Sequence, residues 1–526
     1  MTSTKTKNKS LNSGSKLIQG LMSSNAFPHP VSSIRLIETH ISWVLLTGEF
    51  AYKIKKPVNF GFLDFSTLEL RCTYCKEELR LNRRLAADWY LEVVSITGSC
   101  ENPNIGGIGE PIEYAVKMRQ FPTGLTLKDQ VKTAGVGRRE IDQIIDLLAD
   151  FHAAVDIALP DSPYGSSAVV KHWVNENFQH IRPRLEDARQ LRQLEVIEFW
   201  ELTEWQHRAE LMEERKRSGF VRECHGDMHL GNMTLIDGKV VLFDCIEFNP
   251  QLRWIDVVSE AAFLIIDLLH FQLEALAWRF LNHYLQHTGD YNGMRLLRYY
   301  LVYRALVLAK VALLRAEQQQ NPAHRDQNHS EYSLYANLAE RFTHHQSPVL
   351  FITHGFSGSG KSHFAERLAE QTGALQIRSD IERKRLFGYR ADQSTCSRTD
   401  GGIYTESASQ KTYEKLVNLA EIVLEAGFSA IVDATFLKKA QREQFLKLAK
   451  RCDVPFRILD FQESENVLLQ RILQRQNLDA SEATIAVLRR QQQTAEPLDH
   501  DEQSLAITIN SESDSALENV LAALQN

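Results

Sequence analysis

Two groups of residues in this chain have the types and the spacing that phosphate handling requires. The first group is the run Gly355-Phe356-Ser357-Gly358-Ser359-Gly360-Lys361-Ser362. Its glycines let the backbone wrap around a polyphosphate with the N–H groups pointing inward, and the N-terminus of the following helix adds positive potential. Lys361 supplies a cation for the outer phosphates, and Ser362 offers a hydroxyl to Mg²⁺. Because an apolar strand precedes this run and a helical pattern follows it, we predict a nucleotide-binding P-loop and not a chance glycine-rich turn.

The second group lies about 130 residues earlier and consists of a short run of residues and one aspartate further along the chain. It comprises His225-Gly226-Asp227-Met228-His229-Leu230-Gly231-Asn232, and Asp244 follows at the end of the next apolar strand. Asp227 is expected to orient and deprotonate an acceptor hydroxyl, while Asn232 and Asp244 are expected to bind the Mg²⁺ ions that bridge the phosphates. A purely structural role would need three buried polar groups to be satisfied locally. The spacing therefore predicts a second phosphotransfer site.

Further polar residues stand where the strands after the P-loop end. Asp380 follows the predicted strand Leu375–Arg378, at the sheet edge where ligands bind in open α/β folds, and it is expected to accept a proton from an attacking hydroxyl. Arg383, one helical turn later, is expected to hold an anionic part of the acceptor. Asp433 ends another apolar strand and is expected to orient Mg²⁺ or its water. The alternative for Asp380 is a helix cap, with solvated charges behind it.

Arg471 and Arg475 lie four residues apart, on one face of a predicted helix. Such a pair is suited to close over a triphosphate as a lid and to stabilise the charge of the transferring group. A solvated helix surface is an equally good interpretation of these two arginines.

The first half of the chain predicts a small β-rich lobe followed by helices. Strand patterns cover Ile34–Thr39, Ile41–Leu46, Phe50–Lys55, Val93–Thr97, Glu113–Phe121 and Val240–Phe243. The run Ser66-Thr67-Leu68-Glu69 has the pattern of a capping box and predicts a helix through about Ala87. Mostly helical patterns then run from Leu125 to about Arg217 and from Ile255 to about Phe342.

After Ser347-Pro348 the pattern changes to strands that alternate with helices. The predicted strands are Val349–Thr353, Leu375–Arg378, Ala430–Asp433, Phe456–Phe461 and Leu505–Asn510, and a last helix covers Asp514–Gln525. This alternation predicts an α/β domain with a parallel sheet and helices on both of its faces. We therefore predict a disordered tail at 1–30, one domain at 31–345 and a P-loop domain at 346–526.

Composition and charge narrow the classes of function. Hydrophobic residues make up 43% and charged residues 24% of the chain, as in ordinary globular proteins, and the net charge of −7 does not indicate a surface that coats nucleic acid. No apolar run is long enough for a bilayer, and Met1–Lys16 lacks the apolar core of a secretory signal. The seven cysteines are scattered, which favours a reducing, cytoplasmic location. Cys72 and Cys75 fall on a predicted helix, so we expect them to be structural.

The segment from Pro348 onward resembles the small P-loop kinases, a group that includes polynucleotide, gluconate, shikimate and zeta-toxin-like kinases. Its Asp380-x-x-Arg383 spacing most resembles the 5′-hydroxyl polynucleotide kinases. The resemblance implies that Asp380 is the general base, that Arg383 binds substrate, and that Arg471 and Arg475 bind ATP.

The segment from Ile34 to Phe342 resembles the aminoglycoside phosphotransferase and choline kinase branch of the kinase-like fold, whose catalytic loop reads His-Gly-Asp-x-His-x-x-Asn. This implies an α+β protein-kinase-like domain with a small β-rich lobe and a helical lobe. Other parts implied by the resemblance can be placed in order along the sequence. They are a phosphate-pairing lysine at Lys53 or Lys55, its glutamate partner at Glu78 (Glu77 is next best), a hinge at Gln120-Phe121-Pro122, and a brace of the catalytic loop at Asp256. The glycine-rich loop of that family would fall at Glu38-Thr39-His40-Ile41, which has no glycine.

The whole chain resembles bacterial proteins described as an aminoglycoside phosphotransferase-like domain fused to an ATP-binding P-loop domain. The leading hypothesis is a bifunctional kinase that uses ATP and Mg²⁺, each half phosphorylating a small hydroxylated acceptor that the sequence does not identify. A second hypothesis is that one half binds nucleotide and gates the other. A third is that the P-loop half phosphorylates the 5′-hydroxyl of a nucleic acid, which the overall acidity does not favour.

Overall fold

The computed structural model describes residues 14–61, 63–121, 124–133, 135–344, 347–391, 393, 395, 402–474, 484–510 and 516–525. The chain forms two compact units, each assembled from several stretches of sequence. The first unit comprises 1–136, 151–170 and 211–260, and the second comprises 137–150, 171–210 and 261–526. The residue ranges of these units differ from those of the predicted domains, and the predicted domain boundary near residue 346 stays a prediction.

The elements of the chain follow in order. They are α1 (14–21), β1 (Arg35–Glu38), β2 (Ser42–Leu46), β3 (Phe50–Lys55), α2 (Leu68–Ala86), β4 (Tyr90–Gly98), β5 (Pro103–Ile105), β6 (Glu113–Arg119), α3 (Leu127–Thr133), α4 (Arg138–Ala154), α5 (Ser167–Ile181), α6 (Ala188–Arg217), β7 (Val221–Glu223), β8 (Met233–Ile236), β9 (Lys239–Leu242), α7 (Pro250–Arg253), β10 (Trp254–Asp256), α8 (Val257–His270), α9 (Glu274–Thr288), α10 (Met294–Gln318) and α11 (Pro322–Thr343). They continue with β11 (Leu350–His354), α12 (Lys361–Thr372), β12 (Leu375–Arg378), α13 (Ser379–Leu386), α14 (Glu406–Glu425), β13 (Ala430–Asp433), α15 (Lys439–Arg451), β14 (Phe456–Phe461), α16 (Glu465–Gln474), α17 (Ile485–Thr494), α18 (His500–Ser504), β15 (Ala506–Ile509) and α19 (Ala516–Gln525).

The first unit is built on a six-stranded antiparallel sheet in the order β1-β2-β3-β6-β4-β5. Side chains alternate between its faces, so each strand packs against two layers. On one face Ala51 packs with Cys75 of α2 and Val116 of β6. On the other face Tyr52 and Ile54 pack into a cluster with the N-terminal segment. This arrangement confirms the predicted β-rich lobe of a kinase-like domain, with β5 as a strand that the sequence patterns did not indicate.

The N-terminal segment corrects one expectation, because residues 14–30 are not a disordered tail. The α1 helix buries Leu17, Ile18 and Leu21, and Phe27 follows into the same cluster beside Trp43. The apolar residues of this segment are sparse in a Ser- and Lys-rich stretch, so their pattern is weak in sequence. These residues form the buried face of a helix because they pack on apolar side chains at the outer face of the sheet, and this packing stabilises the helix. Residues 1–13 lie outside the described residues.

The α2 helix confirms the predicted helix, with one local difference at its start. Thr67 is the N-cap, and its side chain accepts a hydrogen bond from the Leu70 N–H at 3.2 Å. The predicted capping box had placed Ser66 at that position. Cys75 on this helix is fully buried and free, and burial raises its pKa to about 12, which supports a structural role.

The second unit contains a five-stranded parallel sheet in the order β12-β13-β11-β14-β15. Helices α12 and α19 pack on the face that carries Phe351, Ile431 and Leu459. The predicted alternation of strands and helices is confirmed, and the observed strands agree with the predicted ones to within a residue at each end. β12 is an edge strand of this sheet, and helix α9 lies beside it.

Across the described part of the chain, none of the helices combines the length and the apolar character that crossing a membrane requires.

The packing of α1 on the sheet predicts that it contributes to stability. Changing Leu21 to alanine would leave a cavity in the cluster, so we expect the free energy of unfolding to fall by about 2 to 5 kcal/mol. The matched control is Met22→Ala, because Met22 is 43% exposed and should change stability by less than about 0.5 kcal/mol. Urea unfolding of the full chain measures both. Equal effects of the two changes would show that α1 is not part of the core.

Candidate active sites

Two lysines on β3 share one glutamate on α2. Lys53 and Lys55 point to the same face of the strand, and their ammonium nitrogens lie 2.8 and 2.7 Å from the two carboxylate oxygens of Glu78. Lys53 also pairs with Asp244, whereas Lys55 also pairs with Glu247. The structure thus brings together Lys53, Glu78 and Asp244, three residues expected in one nucleotide site.

Exposure distinguishes the two lysines, which the sequence could not do. The side chains of Lys55 and Glu247 are 0% and 3% exposed, while Asp244, the partner of Lys53, is 42% exposed. Lys53 therefore lies on the open side of the network and Lys55 on its closed side. Glu77, the next-best candidate for the glutamate partner, pairs instead with Arg80 and Arg253, at 2.7 and 2.8 Å.

Opposite charges in this network favour the ionised forms of Glu78 and Lys55, whereas burial raises the pKa of Glu247. Burial by itself would raise the pKa of Glu78, but the adjacent Lys53 and Lys55 lower it to about 2. Burial would lower the pKa of Lys55, yet Glu247 and Glu78 raise it above its ordinary value. Because Lys55, Glu78 and Glu247 are buried away from water, the loss of one of these three would leave another charge without compensation.

The predicted catalytic loop holds its aspartate by two side chains. Asn232 Nδ2 donates to Asp227 Oδ2 at 2.9 Å and to the Asp227 carbonyl at 3.0 Å, and His229 Nε2 lies 3.3 Å from the same carboxylate. Burial would raise the pKa of Asp227, but the two neighbouring histidines and Asn232 lower it to about 2. Gly226 makes the turn possible, since it has a φ of +91° and a Cβ there would lie 2.9 Å from the Leu252 carbonyl.

The β8–β9 hairpin brings Asn232 and Asp244 to the same end of the site. Met233 pairs with Leu242, and the Phe243 N–H donates to the Asn232 carbonyl at 3.0 Å. Asp244 has a φ of +66°, in the left-handed region that a residue with a Cβ rarely adopts. In this conformation the Asp244 carboxylate pairs with Lys53.

The brace of the catalytic loop is Glu260 and not Asp256. Glu260 accepts a hydrogen bond from the Gly226 N–H at 2.6 Å and contacts His152 Nε2 at 2.8 Å, and both side chains are buried. Asp256 instead pairs with Arg215 at 2.7 and 2.9 Å. The sequence could not choose between two acidic residues four positions apart, because only the start of α8 decides which one faces the loop.

The turn that replaces a glycine-rich loop is held by a lysine. Lys56 Nζ lies 2.6 Å from Glu38 Oε1 and 2.5 Å from the Thr39 carbonyl, and its own N–H donates to the Ile41 carbonyl at 2.7 Å. The β1–β2 turn is therefore tied to the end of β3.

At the predicted hinge, Gln120 Oε1 accepts a hydrogen bond from the Gly48 N–H at 2.8 Å. Phe121 packs against Trp89 and Phe243, with ring centroids 5.1 and 4.8 Å away. Pro122 lies outside the described residues.

The predicted P-loop has the backbone that its sequence requires. Gly355, Gly358 and Gly360 have φ values of +143°, +87° and +87°, and a Cβ at Gly358 would lie 2.9 Å from the Leu468 carbonyl. Helix α12 begins at Lys361, directly after the loop. Lys361 Nζ donates to the Phe356 carbonyl at 2.6 Å and to Ser359 Oγ at 3.3 Å, so the lysine lies over the loop.

The two expected metal ligands of this domain are connected through a third residue. Asp433 is a buried carboxylate whose pKa is raised by burial and lowered in part by Arg378 and by Ser362. Gln376 connects the pair, because its Nε2 donates to Asp433 Oδ2 at 3.0 Å and to the Ser362 carbonyl at 3.1 Å. The sequence patterns did not single out Gln376, although it lies on β12, beside the strand that ends in Asp433.

Asp380 and Arg383, the two residues expected to contact the acceptor, both have partners within the chain. Arg378 contacts Asp380 through two hydrogen bonds, at 3.2 and 2.7 Å, and the Ile381 N–H donates to the same carboxylate at 2.9 Å. Arg383 donates to the Ile403 carbonyl at 3.0 Å and to Ser409 Oγ at 3.2 Å. Asp380 therefore combines the expected place at the sheet edge with a role at the start of α13.

The expected lid is described in part. Arg471 Nη1 lies 3.6 Å from Glu463 Oε1, and Arg475 lies outside the described residues. Helices α16 and α17 pack together through Leu468, Ile472 and Leu488, with Phe356 of the P-loop against them.

A glutamine on α17 bonds the P-loop directly. The Ser357 N–H donates to Gln491 Oε1 at 2.9 Å, and Gln491 Nε2 donates to Ser357 Oγ at 2.9 Å. The sequence patterns did not point to Gln491, because it stands in a run of three glutamines that look equivalent until the helix is packed.

These sites and folds define a protein with a kinase-like domain followed by a P-loop kinase domain, as the sequence patterns had indicated. Residues 350–498 match a family described as AAA domain. The chain is 32% identical over 473 residues to the uncharacterized protein Rv2004c of Mycobacterium tuberculosis, covering 88% of this chain and 92% of that protein. The uncharacterized protein Mb2027c of Mycobacterium bovis gives the same values. The chain belongs to the family of these mycobacterial proteins.

Solved structures with similar folds fall into two groups. A choline kinase from Cryptosporidium parvum Iowa II is 9% identical with a TM-score of 0.37, covering 59% of this chain and 89% of that one. A choline/ethanolamine kinase family protein from Mesorhizobium loti is 10% identical with a TM-score of 0.36, covering 62% and 99%. A gluconokinase from Sinorhizobium meliloti 1021 is 20% identical with a TM-score of 0.25, covering 34% and 93%.

The lysine network predicts different costs for the two lysines. Changing Lys55 to methionine leaves the buried Glu247 carboxylate and one carboxylate oxygen of Glu78 without their ammonium partner. We therefore expect the free energy of unfolding to fall by about 3 to 5 kcal/mol. Changing Lys53 to methionine leaves Lys55 on Glu78 and lets Asp244 face water, so the loss should be smaller, about 1 to 3 kcal/mol. Urea unfolding of the full chain compares the two variants. A larger loss for the Lys53 variant would contradict the assignment of Lys55 to the closed side.

Proposed function

We propose that the chain is a bifunctional ATP-dependent phosphotransferase, each half transferring the γ-phosphoryl group of ATP to a hydroxyl of a small acceptor. One observation carries the proposal. In each half, the carboxylate expected to hold Mg²⁺ is connected to the group expected to work beside it: Asp244 pairs with Lys53, and the Gln376 side chain joins Asp433 to the Ser362 carbonyl. Catalysis would then rest on positioning and charge neutralisation rather than on a covalent intermediate.

In the kinase-like half, Lys53 would bind phosphate oxygens while Glu78 holds the lysine in place. Asp227, with a pKa of about 2, is ionised at neutral pH and is a weak base. It therefore serves chiefly to orient the acceptor hydroxyl, and it takes the proton late, when the hydroxyl has become acidic through bond formation. Asn232 keeps the carboxylate in one orientation through its side-chain amide.

In the P-loop half, the backbone N–H groups of the loop would surround the phosphates. Lys361 would exchange the Phe356 carbonyl for a phosphate oxygen, which is a better partner for an ammonium group. Asp380 would receive the proton of the acceptor, after part of its contact with Arg378 passes to the substrate. Arg383 would contribute positive charge beside it.

The residues present suit Mg²⁺, because hydroxyl, amide and carboxylate oxygens are its preferred ligands. Ser362 and Asp433 would hold it in one half and Asn232 and Asp244 in the other, where it would neutralise charge on the transferring phosphate.

A second candidate function is that the kinase-like half binds nucleotide and gates the other half. The observation that favours it is the glycine-free β1–β2 turn, which Lys56 ties to Glu38 and Thr39. Such a turn has less freedom to close over the phosphates than a glycine-rich one. ATP binding without turnover in the Lys361→Ala chain would support this candidate.

A nucleic-acid 5′-hydroxyl as the acceptor is less favoured. The basic run that begins at Arg378 is engaged within the chain: Arg378 with Asp380, Arg385 with Glu382, and Lys384 with the Ala391 carbonyl at 3.1 Å. Charges that are paired in this way attract a polyanion less than free ones do. We therefore propose a small-molecule acceptor.

The proposal predicts two activities that can be removed separately. With radiolabelled ATP and a cell metabolite extract, we expect the intact chain to label two products. Asp227→Asn should lower one of them and Lys361→Ala the other, each by about 100-fold or more, because each change removes a charge on which the phosphoryl transfer depends.

Matched controls are Asp237→Asn, at the β8–β9 turn, and Lys447→Ala, which is exposed on α15. Both should retain the two products. The proposal fails if the intact chain labels nothing, or if both products persist in the Asp227→Asn, Lys361→Ala double variant.

A further inference from the structure

We propose that Asn282, on helix α9, is a positioning residue for the metal and nucleotide site of the P-loop. The inference deepens the proposed function of that half and rests on it. Asn282 lies 73 positions before Gly355, among helices that the sequence assigned to the kinase-like domain. The structure places it in the same compact unit as the P-loop.

Asn282 occupies the place of a neighbouring strand at the edge of the sheet. Its Oδ1 accepts a hydrogen bond from the Gln376 N–H at 2.7 Å, and its Nδ2 donates to the Ala374 carbonyl at 3.1 Å. Edge strands carry unpaired backbone groups, and here a buried side-chain amide satisfies two of them. The amide also donates to the Trp278 carbonyl of its own helix, at 3.0 Å, which limits its rotation.

The residue that Asn282 holds is the one that connects the two metal ligands. Gln376 offers its backbone N–H to Asn282, while its side chain donates to Asp433 Oδ2 at 3.0 Å and to the Ser362 carbonyl at 3.1 Å. A continuous chain of hydrogen bonds therefore runs from α9 through β12 to Ser362 and Asp433. Such chains act as a unit, since a shift in one member changes the geometry of the next.

Helix α9 also holds the helix that begins at the P-loop lysine. Arg279 is 8% exposed, contacts Asp142 at 2.8 and 2.9 Å, and contacts Glu370 of α12 at 3.0 Å. His283 lies 3.1 Å from Glu366, also on α12. Because α12 carries Ser362 and β12 carries Gln376, α9 sets the spacing between the two elements that bring the metal ligands together.

Losing Asn282 should therefore affect the metal more than the nucleotide itself. The loop glycines and Lys361 bind phosphate without help from Gln376. Asn282→Leu removes both hydrogen bonds to the edge strand, and Asn282→Asp retains an acceptor for the Gln376 N–H. Gln376→Leu removes the side-chain hydrogen bonds to Asp433 and to the Ser362 carbonyl, which follow Asn282 in the same series of hydrogen bonds. It should therefore behave as Asn282→Leu does.

The test is calorimetric binding of ADP to the full chain, with and without Mg²⁺. Binding lost in Lys361→Ala is assigned to the P-loop. We expect Asn282→Leu and Gln376→Leu to reduce the gain in ADP affinity that Mg²⁺ provides by about tenfold, as for an ordinary coupling between sites. Affinity without Mg²⁺ should change less than about twofold, and Asn282→Asp should keep most of the Mg²⁺ effect.

The matched control is Trp278→Phe, which alters packing of the same helix against Gly373 without removing the Asn282 bonds. It should retain the Mg²⁺ effect. An unchanged Mg²⁺ effect in Asn282→Leu overturns the inference. An equal loss with and without Mg²⁺, or the same loss in Trp278→Phe, shows general loosening and also overturns it.

The same measurements separate the inference from the function on which it rests. If Lys361→Ala leaves ADP binding unchanged, the P-loop half of the proposed function fails, and the inference fails with it. If Lys361→Ala abolishes binding while Asn282→Leu keeps the Mg²⁺ effect, the inference alone fails.

Discussion

The pairing of Lys53 and Lys55 with Glu78 is the interaction on which the site of the first unit depends. A phosphate-binding site must keep cations in a place that water largely leaves, and unpaired charges there are costly. Two lysines and one glutamate leave one excess positive charge, and Asp244 and Glu247 add two carboxylates, so the set carries one net negative charge when all five groups are ionised. Lys53 and Asp244 form the open side of the set, while Lys55 joins β3 to α2 through Glu78.

The second unit arranges its predicted P-loop residues through backbone carbonyls, hydroxyls and side-chain amides. Lys361 donates to the Phe356 carbonyl at 2.6 Å and to Ser359 Oγ at 3.3 Å. Asp433 accepts a hydrogen bond from the Gln376 amide, and the positive charge of Arg378 lowers its pKa against the effect of burial. The amide therefore fixes the orientation of a carboxylate that is expected to hold a metal ion.

Position within the fold explains why helices from the middle of the chain matter to the C-terminal sheet. β12 stands at the edge of that sheet and carries Gln376, so whatever covers this edge also sets the geometry of the site. Helix α9 covers it with Asn282 and holds α12 with Arg279. Helix α9, which precedes residue 346 in the chain, therefore supports the edge of the P-loop sheet.

Local patterns in the sequence were enough to identify the P-loop, the His-Gly-Asp loop and the alternating strands and helices. These features depend on residues close together in the chain: glycines that adopt positive φ, Asp227 and Asn232 five residues apart, and apolar runs with a strand or helix period. The same patterns placed most of the strands correctly. They missed α1, because its few apolar residues form a weak pattern by themselves and become a buried helix face only by packing on the outer face of the sheet.

Tertiary structure decided which of two similar residues has a given set of partners, and which residues far apart in the sequence are in contact. Lys53 and Lys55 share a strand face, and only the places of Asp244 and Glu247 tell them apart. Glu260, not Asp256, faces Gly226, because the start of α8 turns one carboxylate toward the loop and the other toward Arg215. Gln376, Gln491 and Asn282 carry uncharged amides with no motif around them. Their roles arise from hydrogen bonds to residues far away in the chain, which no local periodicity encodes.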